Sequence, residues 1–446
     1  MKNGWLSRTA ARIVAVGVVS SSLAGCVTFT PGSATAPTAT ASAPTATAPT
    51  ATETAFAPIT TASAPVDTPP GTPAASPRSL APRTSGLWSA IDWISGPPLT
   101  RHAGSWNPDF FGWSKGYLGF YYKNDTLQRN SADGVETIDV ETSPNGLDWT
   151  PGATISTPAF RGQTGVKIRF VVEGPAGLLA AGGEDCLCSV AERSPVTRLW
   201  RSSDGIRWTQ IDMPATFGSD AILMLAAGGV GYIARARTGT GMDRIWTSSD
   251  ATHWHPSGLP GSGTTITGDQ SVAAFAGGYV ASRVETATLG GAQSYSLWSS
   301  ADGSHWIREQ TFNTTGGTVH TRIERISDDA LVCSEWAYAD GTPSLTTFVS
   351  TDGKKWRQLR SDSAVQVSSY TSTDGARGIL VNQEPLQLMA YEDDLSLVAL
   401  SQTGNVPPFD RDRVLIQYVL LGPAGLLAVV DESGGTTFYL GLPANS

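Results

Sequence analysis

Apolar and polar positions alternate along most of this chain in short runs, and the runs come in pairs folded about glycine. Phe170–Ala180, Met224–Ala234 and Ala274–Ala281 each carry two apolar stretches around a glycine-rich turn, and Tyr418–Ala428 repeats the first of them almost residue for residue. Period-two runs bounded by turn residues predict antiparallel hairpins. About 25 to 30 residues further on, a second kind of hairpin recurs: an aromatic-bearing strand (Leu199-Trp200, Ile245-Trp246, Leu297-Trp298, Thr347-Phe348) leads into a polar turn and then a tryptophan.

Five copies of that turn stand in order. They are Ser143-Pro-Asn145-Gly-Leu-Asp-Trp149, Ser202-Ser-Asp204-Gly-Ile-Arg-Trp208, Ser248-Ser-Asp250-Ala-Thr-His-Trp254, Ser300-Ala-Asp302-Gly-Ser-His-Trp306 and Ser350-Thr-Asp352-Gly-Lys-Lys-Trp356. Asp-Gly supplies the positive-φ step of a tight hairpin, and the carboxylate and hydroxyl can bond exposed turn backbone. The tryptophan is expected to pack between neighbouring sheets. The tryptophans recur 46 to 59 residues apart, a period that marks propellers and other repeat arrays.

Two hairpins per unit make four antiparallel strands, and no helical stretch interrupts them, which describes a propeller blade. Units start near Asp109, Lys167, Ala221, Ser271, Thr321, Val365 and Arg413. The expected fold is therefore all-β, a seven-bladed propeller of four-stranded antiparallel blades. The sixth unit retains only Tyr391-Glu-Asp393-Asp394-Leu-Ser-Leu397 of its second hairpin, and the seventh stops after Thr436–Gly441. Leu87–Gly96 resembles the outer-strand segments Leu147–Gly152 and Thr252–Gly258, so the N-terminal strand is expected to close the ring and cover its open edge.

Ahead of the repeats the pattern changes. Residues 1–12 carry Lys2, Arg8 and Arg12 with no acid, and the apolar run Ile13–Val19 follows. That order reads as a secretory signal, and the run falls short of the about 20 apolar residues a membrane span needs. Leu23-Ala24-Gly25-Cys26 resembles the lipobox of bacterial lipoproteins. The resemblance implies cleavage before Cys26, a diacylglycerol on its thiol, and tethering to the outer face of the cell membrane. An ordinary signal peptide with an incidental cysteine is the alternative.

From Val27 to about Arg83 the chain is Ala, Thr, Pro and Ser with almost nothing large to bury, so it cannot offset its ordering entropy and is expected to be a disordered linker. At about 3.1 Å per residue in an extended proline-rich conformation it could reach on the order of 100 Å. A tract carrying sugars on its threonines fits the same residues. The expected domains are residues 1–25 (signal peptide), 26–84 (lipidated cysteine and linker) and 85–446 (propeller). Loss of the three N-terminal cations takes the formal net charge from −9 to −12. An acidic surface repels nucleic acid and anionic lipid headgroups, so contact with the membrane is expected through the lipid on Cys26, with no nucleic-acid partner, and the chain is expected to be a monomer.

The repeated Ser-x-Asp-Gly-x-x-Trp is similar to the Asp-box, or bacterial neuraminidase repeat, of sialidases, sortilin-type receptors and photosystem assembly propellers. The usual box has one more residue between Asp and Gly, and Asp250-Ala251 and Asn145-Gly146 depart further. The resemblance implies that the boxes lie on turns between third and fourth strands, away from the active face, and that Asp204, Asp250, Asp302 and Asp352 support the fold. A sialidase also needs an arginine trio, a Tyr-Glu nucleophile pair and a free aspartate. Its Phe/Tyr-Arg-Ile-Pro motif is missing, since Arg101 precedes His-Ala-Gly and neither Arg169 nor Arg322 precedes Ile-Pro.

On that face logic, binding residues belong on the loops joining second to third strands: Lys123–Glu136, Glu184–Val196, Arg235–Met242, Arg283–Ser294 and Glu335–Ser344. Candidates are Arg193, Arg235, Arg237, Arg283 and Glu335, with Trp336 and Tyr338 placed to stack on a sugar or to cover a blade edge. Cys186-Leu-Cys188 reads as a tight disulfide ahead of a soft-metal site, with Cys333 a buried thiol. His253, His255 and His305 read as repeat surface ahead of metal ligands. No cofactor, metal or catalytic residue is expected. The main expectation is a non-catalytic tethered propeller that binds an unknown protein or glycan. The alternatives are an exo-glycosidase of the sialidase type and an accessory or assembly factor for a membrane complex.

Overall fold

Alternation with a period of two produces strands, and the glycines fold them back on themselves. Gly116, Gly177, Gly231, Gly278 and Gly425 all hold positive φ between the first two strands of their units, where an added Cβ would meet backbone carbonyl oxygen. The computed structural model describes residues 90–98, 108–122, 135–158, 166–184, 197–213, 217, 220–238, 243–258, 270–286, 293–313, 318–327, 330–339, 342–359, 368–369, 379–383, 386–391, 397–407, 415–432 and 435–443. The signal segment, the lipobox, the linker, Cys186, Cys188 and Arg193 lie outside the described residues. Among the described residues no helix is long and apolar enough to cross a membrane.

The N-terminal strand is β1 (Ala90–Pro98). Blade 1 holds β2 (Asp109–Trp113), β3 (Gly116–Tyr122), β4 (Val135–Ser143) and β5 (Thr150–Pro158); blade 2 holds β6 (Val166–Gly174), β7 (Gly177–Glu184), β8 (Thr197–Ser202) and β9 (Thr209–Ile211). Blade 3 comprises β10 (Ala221–Gly228), β11 (Gly231–Arg237), β12 (Asp243–Ser248) and β13 (His255–Ser257). Blade 4 comprises β14 (Gln270–Phe275), β15 (Gly278–Thr286), β16 (Gln293–Ser300) and β17 (Ile307–Asn313). Blade 5 has β18 (Thr318–Ser327), β19 (Ala330–Ala339), β20 (Thr342–Ser350) and β21 (Arg357–Gln358); blade 6 has β22 (Ser368–Ser369), β23 (Ile379–Gln383), β24 (Leu386–Tyr391) and β25 (Leu397–Ala399). Then come β26 (Ser401–Gly404), β27 (Leu415–Gly422), β28 (Gly425–Glu432) and β29 (Gly435–Pro443).

The chain is a β-propeller, and among the described residues six sheets are four-stranded, antiparallel and ordered as in the sequence. This corrects the expected count of seven such blades. The remaining sheet has five strands in the order β26-β1-β29-β28-β27 and is mixed, because β1 runs antiparallel to β29 and parallel to β26. The cause is local: β26 follows blade 6 after a single residue, Leu400, and its polar Ser-Gln-Thr-Gly carries no apolar alternation that would announce a strand. β1 is thus held on both edges by strands from the far end of the chain. Trp93, fully buried, donates from Nε1 to Gln402 Oε1 at 3.0 Å, and Asn405 N–H donates to the Trp93 carbonyl.

The core lies between sheets rather than in one centre. Leu118, Phe120, Ile138 and Val140 of blade 1 pack on Ile168, Leu178 and Trp200 of blade 2. Leu179, Leu199 and Ile211 meet Ile222, Tyr232, Trp246 and Trp254 across the next seam, and Ile233 and Ile245 meet Val272 and Tyr279 across the one after. Each of these seams buries large side chains worth roughly 1.5–3 kcal/mol apiece, so these blades depend on their neighbours.

Candidate functional site

The turns between third and fourth strands form one face and are occupied with their own backbone. Asp204 Oδ1 accepts from the N–H groups of Ile206 (2.9 Å) and Arg207 (2.8 Å) and from Ser202 Oγ, while Trp208 Nε1 donates to the Gly205 carbonyl at 3.0 Å. Asn145, Asp250, Asp302 and Asp352 make the same two backbone contacts, with Ser143, Ser248, Ser300 and Ser350 as their hydroxyl donors. The backbone N–H of Arg207 holds the Asp204 carboxyl down at about 2. Trp149, Trp254 and Trp356 repeat the indole-to-carbonyl bond. Trp306 departs from it, donating at 2.9 Å to Ser257 Oγ of blade 3, which in turn donates to the Gly303 carbonyl. The second carboxylate oxygen of Asp204, Asp250 and Asp302 meets the side chain three positions on, Arg207, His253 and His305, while Asn145 Nδ2 donates to Asp148 Oδ2.

The opposite face, where second strands end and third strands begin, gathers the buried charges. Asp109 is 2 % exposed and takes Tyr122 Oη at 2.6 Å and Lys167 Nζ at 3.5 Å across the seam of blades 1 and 2. Asp220, as buried, lies 3.6 Å from Arg244. Asp243 receives Arg235 Nε at 2.9 Å and Arg237 Nε at 2.8 Å, one on each oxygen. Burying ions this deeply is costly unless each is paired, so the face is built, not incidental.

Three expected arginines come together here. Arg235 and Arg237 follow Ile233 at two-residue steps, and Ile233 packs on blade 4; Arg283 follows Ala281 in the same way, and Ala281 packs on blade 3. Strand alternation therefore places all three along the seam of blades 3 and 4. They stand on second strands, one strand outside the channel. Glu335 lies on β19 in the next seam, where Tyr295 of β16 donates to Glu335 Oε2 at 2.9 Å. Tyr295 is fully buried and stacks on Phe312, with ring centres 4.8 Å apart. Burial raises the Glu335 carboxyl above its ordinary range, against the lowering effect of the Tyr295 hydroxyl, and burial pushes the Tyr295 phenol up strongly. Trp336 and Tyr338 fall on β19 opposite His320 and Thr318.

Tyr295, Asp243 and Lys167 are functional-face residues that the sequence did not mark. Tyr295 sits two residues before Leu297-Trp298, inside a strand identified only by its aromatic pair, and its partner is 40 residues away in another sheet. Cys333 is buried as expected. Among the described residues no group of three or more His, Cys, Asp or Glu is placed to hold a metal ion.

No family model matches the sequence, and no curated protein matches it. Among solved structures the chain is similar to the β-propeller domain of the Trilobed protease from Pyrococcus furiosus, at 9 % identity and a TM-score of 0.47 over 77 % of this chain and 97 % of that one. It is similar to Pyrococcus horikoshii acylaminoacyl peptidase at 8 % identity and a TM-score of 0.44, over 76 % of this chain and 52 % of that one. It is also similar to Trypanosoma rangeli sialidase at 12 % identity and a TM-score of 0.34, over 75 % and 53 %. The chain spans about half the length of the last two. These likenesses concern the fold. The expectation of a non-catalytic binding propeller finds no support among these structures, whose names are those of peptidases and a sialidase; at these identities the likeness is one of fold alone.

Proposed function

We propose that the protein is a hydrolase of glycosidic bonds, of the sialidase type, working on the face opposite the Ser-x-Asp turns. The observation that carries this is the Tyr295–Glu335 pair. A carboxyl group whose pKa burial raises holds its proton above the ordinary carboxylate range and can serve as a general acid, donating from Oε1 to a departing glycosidic oxygen while Tyr295 holds Oε2. Tyr295 is too deeply buried to meet a substrate first, so its role is positioning. Arg235 and Arg237, both paired with Asp243, and Arg283 stand in the neighbouring seam of the same face.

The lipid on Cys26, the cleavage before it and the extended linker remain part of the proposal: they would hold this face away from the outer surface of the cell membrane. The test is hydrolysis of fluorogenic sialosides by the native chain and by Glu335→Gln. Turnover lost in the variant with unchanged folding supports the reading. No turnover by the native chain on acidic or neutral glycosides overturns it.

A further inference from the structure

The turn of blade 3 differs from its four relatives in a way the fold does not require. Its tryptophan is flanked on both sides by histidine, His253-Trp254-His255, where the others read Asp148-Trp149-Thr150, Arg207-Trp208-Thr209, His305-Trp306-Ile307 and Lys355-Trp356-Arg357. Trp254 is buried and both histidines beside it are exposed, His253 in the bend of the turn and His255 as the first residue of β13. Two residues apart in the chain, their Cα atoms lie no more than roughly 7 Å apart, close enough for both rings to turn towards one ion.

His253 is also prepared for that role. Its Nδ1 lies 2.6 Å from Asp250 Oδ2, and since a carboxylate only accepts, Nδ1 carries a proton, so in the neutral ring the lone pair falls on Nε2. A carboxylate behind a histidine fixes ring orientation and raises ligand basicity, the usual support of a metal-bound imidazole. We propose that His253 and His255 form a surface site for one divalent transition-metal ion of the kind that prefers imidazole, copper, nickel or zinc, with water completing its coordination. Two protein ligands leave most positions open, so the site exchanges its ion readily and favours copper at equal supply. The site is independent of the Glu335 face.

Blade 4 supplies an internal control. His305 forms the same bond to Asp302, at 2.7 Å, but the position two residues on is Ile307, 63 % exposed. The experiment is titration of the full chain with Cu2+, followed by the nitrogen hyperfine pattern in electron paramagnetic resonance. The expected result is one ion bound through two imidazole nitrogens, with that pattern lost in His253→Ala and in His255→Ala and unchanged in His305→Ala. Asp250→Asn should weaken binding roughly 10- to 100-fold without disturbing the turn, because Asn145 makes the same backbone bonds in blade 1. Ile307→His should create a second site of the same kind. The proposal is overturned if the native chain binds no copper through nitrogen, if either His253→Ala or His255→Ala binds it unchanged, or if His305→Ala weakens it equally.

Discussion

Replacing Trp93 by alanine is the sharpest structural perturbation available, because one side chain sits where the two ends of the ring meet. Its indole is 1 % exposed, lies against Gly441 of β29, and donates to Gln402 of β26. Removing a buried tryptophan costs about 3–5 kcal/mol through lost burial and the cavity left behind. The orphaned Gln402 amide adds little, since it can turn to water. Against a total stability of about 5–15 kcal/mol, that is enough to empty much of the native population under mild denaturant. Equilibrium urea unfolding of Trp93→Ala should show a midpoint lowered by an amount equal to this loss divided by the slope. The half-buried Trp208 of blade 2, truncated in the same way, should cost clearly less. A Trp93→Ala protein within about 1 kcal/mol of the native one would refute closure through β1. Deleting residues 85 to 96 should go further and abolish cooperative unfolding.

Three other outcomes follow from the geometry. Gly303→Ala should destabilise by about 1–2 kcal/mol or more, since its φ is +75° and the new methyl would meet Thr247 Cγ2 at 2.5 Å; calorimetry reads it. Glu335→Gln should flatten the pH dependence of stability. With its folded pKa raised, Glu335 contributes fully below the ordinary carboxylate value of about 4.3 and loses that contribution as pH rises through the raised value, so the variant should gain on the native chain as pH rises above about 4. Asp204 behaves in the opposite sense: its contribution is present above about 3.9 and lost as pH falls towards about 2. Asp204→Asn should remove that acid-side loss at small cost, because the pair with Arg207 is largely solvated.

Much of the fold was legible in the sequence because propeller blades are local. Each hairpin joins neighbours in the chain, so period-two alternation and glycine positions were sufficient to place β6, β7, β10 and β11. The likeness of Trp93 and its flanks to outer-strand segments led to β1. The mixed sheet was not legible, since the parallel partner Ser401–Gly404 is four polar residues whose pairing depends on a strand more than 300 residues away. The site was half legible. Arg235, Arg237, Arg283 and Glu335 were expected on loops after second strands and stand instead on those strands, which run further than the alternation showed, and Asp243 and Tyr295, which decide what those groups can do, became visible only through strand register and the packing of one blade on the next. The His253-Trp254-His255 step was visible as letters; the bond to Asp250 that orients the first ring was not.

The pH dependence of sialoside hydrolysis by the native chain, beside that of Tyr295→Phe, bears most directly on the proposed chemistry. Tyr295 donates to the ionised form of Glu335 and so lowers its pKa. Removing that hydroxyl should move the basic limb of the rate profile to higher pH while activity persists, and Glu335→Gln should abolish the limb with the activity. Hydrolysis whose pH profile is the same in all three proteins, or no hydrolysis in any, would contradict the account.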